Sequence, residues 1–186
     1  LGLANQLTAK VATQLGYLWD TVNDTVCPRP IDCGAGAFTT RRSCFKWLGK
    51  YFDPIGTNIE IAARQRRLLH EVSEATDSWD SLDLPQEMAE NVRSLCQTSS
   101  IPHPRFVDIR QGLVVFCDAS GSGCICADAR GVANGRRLLA RQKTLNSKWT
   151  IARLELCALC LGLLTLNEIC EEMDTLTIDG LALPQI

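Results

Sequence analysis

Three carboxylates stand where an acid is costly unless it holds something. Asp118 follows the apolar run Leu113-Val114-Val115-Phe116-Cys117, Glu155 lies in the first turns of an apolar helical stretch, and Asp179 closes the short run Leu176-Thr177-Ile178. A carboxylate set into an apolar element needs a partner or a cation. Hard oxygen donors select Mg²⁺ or Mn²⁺. Two such ions about 4 Å apart stabilise the attacking and leaving oxygens of a phosphodiester displacement. Singly, each acid has an ordinary reading: Asp118 caps a turn, Glu155 is an exposed acid near a helix N-terminus, and Asp179 opens a turn with Gly180. Together, on consecutive elements, they point to a metal site.

Convergence requires neighbouring elements. The run 113–117 has the length and continuity of a strand covered on both faces. Gly121 and Gly123 precede a second predicted strand over 124–127. Residues 128–135 read as a turn and 137–142 as a third strand. Thr150 caps a helix with Leu154, Ala158, Leu161 and Thr165 on one face, and 176–178 is a last short strand. This β-β-β-α-β order brings the three acids together if the first and fourth strands are adjacent in a mixed sheet.

The preceding half reads as a small, mainly helical module. Residues 15–26 form a predicted hairpin turning at Asn23-Asp24. Residues 27–37, with Pro28, Pro30, Gly34 and Gly36, read as a loop. Helices are predicted from Thr39 or Thr40 to about Gly49, over 58–74, and after Pro85 with the stripe Met88, Val92, Leu95 and Cys96. Ser99 to Pro104 reads as a flexible linker. The fold class is α+β, with one module over 1–105 and a second over 106–186.

The net charge of −2 across 186 residues says nothing of nucleic acid, but its distribution does. Seven Lys/Arg fall in 39–70 against Asp53 and Glu60, and seven acids in 71–100 against Arg93. Residues 128–153 are basic again and 154–180 carry six acids and no base. Such blocks suit solvated helix faces, and equally basic surfaces beside an acidic centre. Arg41, Arg42, Arg64, Arg66 and Arg67 are candidate phosphate contacts. Lys148 and Trp149, just before the helix bearing Glu155, are candidate strand contacts. His70 and His103 read as surface residues, and Trp19, Trp47 and Trp79 as core or interface anchors. The ten cysteines are irregularly spaced, several inside apolar runs, which fits a reducing intracellular setting. Cys157-x-x-Cys160 has no second pair at zinc-finger spacing. No apolar run approaches twenty residues, so no membrane helix is expected.

These residues carry a family resemblance. Phe116-Cys117-Asp118-Ala119-Ser120 resembles the first catalytic strand of retroelement ribonucleases H. Thr150-Ile151-Ala152-Arg153-Leu154-Glu155-Leu156 resembles the Bel/Pao version of its helix, and Ile178-Asp179-Gly180 is similar to the third motif, where Ser is commoner after the Asp. Upstream, Leu15-Gly16-Tyr17-Leu18-Trp19-Asp20 resembles the hairpin closing a polymerase palm, Tyr51-Phe52-Asp53-Pro54-Ile55-Gly56 a thumb-like Phe-Asp-Pro-Leu-Gly stretch, and Trp79-Asp80 and Leu84-Pro85 a connecting region. The collinear order spans about 11–183 and resembles a Bel/Pao-type retrotransposon Pol polyprotein. It implies a reverse transcriptase tail over 1–105 and a C-terminally truncated ribonuclease H-like domain over 106–186, with Asp118, Glu155 and Asp179 as catalytic metal ligands for Mg²⁺ or Mn²⁺. It further implies cleavage of RNA in RNA–DNA hybrids, a hybrid and the rest of the polyprotein as partners, and a site of action in cytoplasmic virus-like particles or the nucleus. The family's fourth metal acid would fall beyond Ile186. An inactive remnant or a connection module that only grips the hybrid is the alternative. The peptidase label sometimes attached to the family lacks its residues: neither Asp179-Gly180 nor Asp32-Cys33-Gly34 is Asp-Thr/Ser-Gly.

Overall fold

The computed structural model describes residues 10–33 and 38–175, which form two compact units. The chain is mixed α and β, with four helices and two antiparallel sheets among the described residues. The first unit carries residues up to Pro54 and Asn58–Arg105; the second carries Ile55–Thr57 and the chain from Phe106 on.

In the first unit, β1 (Val11–Gln14), β2 (Tyr17–Asp20), β3 (Thr25–Pro28) and β4 (His103–Pro104) form one sheet in that order. Beside the expected hairpin, this half thus carries two short strands, β1 and β4, that the sequence reading did not include. β1 is four residues long and turns at once through Leu15 and Gly16, both at positive φ, too short for alternation to reveal. The expected β2–β3 hairpin is present, and Asp20 closes its turn by accepting from the Val22 and Asn23 amides. Residues 99–105, expected to be a loose linker, are pinned. Asn58 exchanges two hydrogen bonds with the Ile101 backbone, β4 pairs with β3, and Arg105 is bonded to Asp24 through both backbone and guanidinium. His103 is half-buried in this strand rather than exposed.

Three helices complete the unit. In α1 (Arg41–Leu48) a full capping box joins Thr40 and Ser43, satisfying first-turn donors. α2 (Ile59–Ala75) and α3 (Gln86–Cys96) follow the apolar spacing of the sequence, burying Ile61, Leu68 and Val72, and Val92, Leu95 and Cys96. Gln65 ties α2 to the end of α1 by donating to the Leu48 and Tyr51 carbonyls. Phe38, Cys44, Leu48 and Tyr51 join these residues in one core.

The second unit has a three-stranded sheet, β5 (Leu113–Ala119), β6 (Cys124–Gly131) and β7 (Arg137–Thr144), with α4 (Ile151–Thr175) packed on β5 and β6. Leu154, Ala158 and Leu161 of α4 bury against Ile125 and Ala127, with Val115 and Cys117 alongside. Gly162 allows the closest approach: a Cβ there would lie 2.2 Å from Cys117 Sγ. β6 runs four residues beyond its predicted end because Asp128, read as a turn former, is neutralised within the sheet by Arg130 and Arg137. On the outer edge of β7, the Ala140 amide donates to Ile55 and the Arg137 guanidinium to the Thr57 carbonyl. Three residues from the middle of the chain thus complete this unit, where a clean boundary at 105 was expected. The predicted strand 176–178, and with it the mixed sheet, lies outside the described residues.

Candidate active site

Asp118 is the sixth of seven residues in β5. Alternation turns Val115, Cys117 and Ala119 toward α4 and leaves Val114, Phe116 and Asp118 on the uncovered face. Its register partner is Cys126, whose thiol is pushed up first by burial and next by the Asp118 charge. Glu155 is exposed in the second turn of α4, beside the fully buried Leu154. The start of α4 lies at the same end of the sheet as Asp118: Ile151 Cδ1 is 3.6 Å from where a Cβ on Gly121 would stand, three residues after Asp118. Asp179 is outside the described residues.

The acids of this unit differ in how they are occupied. Asp108 is held by Arg110 and its carboxyl stays at about 2; Asp128 is held by Arg130 and Arg137; Glu168 is paired with Arg141 and Glu171 is bonded to Asn167. The carboxylates of Asp118 and Glu155 have neither an ion pair nor a hydrogen bond among the described residues. Two exposed acids with open coordination fit a hard divalent cation better than the paired ones do. Among the described residues no group of three or more His, Cys, Asp or Glu is arranged to hold a metal, and the expected third ligand, Asp179, falls outside that set.

The basic candidates separate too. Arg41 donates to Thr76 O and Ser73 Oγ and stacks 4.4 Å from the Trp79 ring, so its guanidinium is committed to holding the 76–80 segment rather than to phosphate. Arg42 is exposed but bridged to Asp80, and Arg67 is exposed and bridged to Glu71. Arg64, Arg66 and Lys148 are exposed. Trp149 packs on the core of the second unit with one ring face covered by Arg153 at 3.7 Å. Sequence reasoning passed over Lys50, whose ammonium sits 3.8 Å over Trp47.

The model of the Pao retrotransposon-like RNaseH-like domain matches residues 40–183. The chain belongs to this family, and the match starts at the cap of α1, so the family region takes in helices of the first unit as well as the second. No curated protein matches the chain. As a Pao-type region, it is a stretch of retrotransposon polyprotein with an RNaseH-like domain. No helix among the described residues is long and apolar enough to cross a membrane.

Proposed function

We propose that this chain contributes metal-dependent endonucleolytic hydrolysis of RNA in RNA–DNA hybrids during reverse transcription, with Asp118, Glu155 and Asp179 holding Mg²⁺ or Mn²⁺. The observation that carries this reading is that Asp118 on β5 and Glu155 on α4 are exposed acids of the second unit whose carboxylates have neither an ion pair nor a hydrogen bond among the described residues. Bound there, a divalent ion would supply charge neutralisation at the scissile phosphate. The chain's own part is to fix the carboxylates on a strand and a helix clamped together through Gly162 and Cys117. Arg42, Arg64, Arg67 and Lys148 would grip phosphates, with Trp149 as an edge contact. Residues 1–105 would be the reverse transcriptase tail, and the rest of the Pol polyprotein the partner, in cytoplasmic particles or the nucleus.

The test is cleavage of a labelled RNA–DNA hybrid by a C-terminally extended chain with Mg²⁺, with EDTA, and in Asp118→Asn. The substitution keeps shape and removes the charge that holds the ion. Turnover should fall on the order of 100-fold or more, the scale for removing a group that stabilises transition-state charge. Hybrid affinity should hold and weaken with salt. Equal cleavage by both proteins would place the chemistry elsewhere; binding without cleavage by either would favour a gripping module.

A further inference from the structure

Helix α4 is apolar on two sides. Leu154, Ala158 and Leu161 bury against the sheet. On the opposite side Leu156, Leu159, Leu163 and Leu164 are each between 51% and 65% exposed, and Cys160 is exposed among them. Spacings of three and four residues draw these side chains into one stripe along the helix. A contiguous exposed apolar patch of this kind marks an interaction site. We propose that a second copy of this chain covers the stripe, with the two α4 helices packed antiparallel about a two-fold axis near its middle.

The charges along α4 select this occupant. Arg153 stands before the stripe and Glu171 after it. About five full turns separate them, so both lie on one line along the helix. Arg153 is stacked on Trp149 and has no acid partner among the described residues; Glu171 accepts from Asn167 and has no basic partner among them. Residues 154–180 carry six acids and no base, so nothing on the same stretch neutralises Glu171. A second copy running the other way brings its Arg153 to this Glu171, and the two-fold axis repeats the pair at the other end. The midpoint of the two residues falls at Gly162, next to Leu163, so Leu163 meets its counterpart close to the axis.

The same charges fix the direction. A parallel copy would set Arg153 against Arg153 and Glu171 against Glu171, and like charges so placed cost affinity. Antiparallel packing also opposes the two helix dipoles. The outer edge of β7 does not compete for a second copy in the full chain, because the Ala140 amide is already bonded to the Ile55 carbonyl.

Sedimentation equilibrium of the full chain should show monomer and dimer exchanging in the micromolar range, the scale for a small interface. Alkylation of Cys160, read by peptide mass spectrometry, should slow across the same range. Leu163→Glu sets a charge into the seam and should weaken the dimer on the order of 100-fold. Arg153→Glu and Glu171→Arg should each weaken it about tenfold, and the double variant, which restores opposite charges across the axis, should recover most of that loss. All three positions are exposed, so folding is retained. Monomer at every concentration would overturn the proposal. So would Cys160 already protected in the monomer, since residues beyond α4 of the same chain would then cover the stripe. A dimer indifferent to Arg153 and Glu171, or one in which the double variant is no tighter than either single variant, would also overturn it and place the contact elsewhere, such as the edge of β5.

Discussion

Among single residues, the clearest contrast is between acids that are neutralised and acids that are open. Asp128 belongs to the first kind. Its side chain is 16% exposed and that of its partner Arg137 is 8% exposed. Burial pushes its carboxyl up, yet hydrogen bonds from Arg137 and Arg130 outweigh this, and the net shift is downward. A depressed carboxyl contributes stability that is full above its unfolded value near pH 4 and is lost as pH falls through the lower folded value. Arg137→Met removes the stronger partner and leaves burial in charge. The second unit should then lose about 3 kcal/mol in urea denaturation, at the low end for a broken buried pair because Arg130 remains. Its acid transition should also move to higher pH. An unchanged acid midpoint would mean the bridge is solvent-screened. Asp118 and Glu155 were legible as candidates because they interrupt apolar runs. Asp128 reads as a turn former because the more deeply buried of its two partners, Arg137, lies nine residues away across the sheet, and local chemistry cannot register a cross-strand pair.

Secondary-structure elements were legible in proportion to their length. α2 and α3 repeat their apolar stripes over several turns; α2 begins and ends within a residue of expectation, and α3 starts just after Pro85. β1 and β4, of four and two residues, owe their existence to partners: β1 to β2, and β4 to β3. His103-Pro104 reads as a linker because proline cannot donate to a ladder, yet Pro104 still has an acceptor and sits on an edge. The Asp53-Pro54-Ile55-Gly56 turn is a stronger case. Asp53 accepts from Tyr17 Oη and the Asn58 amide, closing the turn from within the first unit. Gly56, at φ +72°, lies so near β7 that a Cβ would stand 2.3 Å from Ala140 O. Gly135, at φ +65°, has nothing within 4 Å of the same atom. Gly135→Ala should therefore cost only the left-handed backbone term, about 1–2 kcal/mol. Gly56→Ala should cost about 1–3 kcal/mol more, because a methyl group is forced against a backbone oxygen. Equal losses in chemical denaturation would show that the Ile55–Ala140 contact yields without cost.

For the whole molecule, periodicity shows where one kind of structure gives way to another, but not that Ile55–Thr57 belongs to the second unit. A change from helical to strand periodicity marks where one kind of structure stops, and near residue 105 it does so correctly. It cannot show that Ile55–Thr57, fifty residues earlier, completes the sheet of the second unit, because both contacts are made at the carbonyls of Ile55 and Thr57 and not at their side chains. Without those residues, β7 presents an unpaired edge, and edges of this kind recruit other chains. Arg137 also loses its bond to Thr57 O. A fragment spanning 106–186 should therefore be less stable than the same residues in the full chain, by about 1–3 kcal/mol for two lost hydrogen bonds, and should self-associate as concentration rises. Amide exchange reads this locally. In the full chain the Ala140 amide, bonded to Ile55 O at 2.9 Å, should be protected. In the fragment it should exchange much faster, while Ala127, in the central strand and fully buried, keeps most of its protection. If Ala140 were equally protected in both, with the fragment monomeric, residues 55–57 would be a passing neighbour of β7 and residues 106 onward would be sufficient alone. In the full chain, digestion should spare 101–105, because the bonds from Asn58, β3 and Asp24 hold that segment, and an early cut there would show that those bonds open readily.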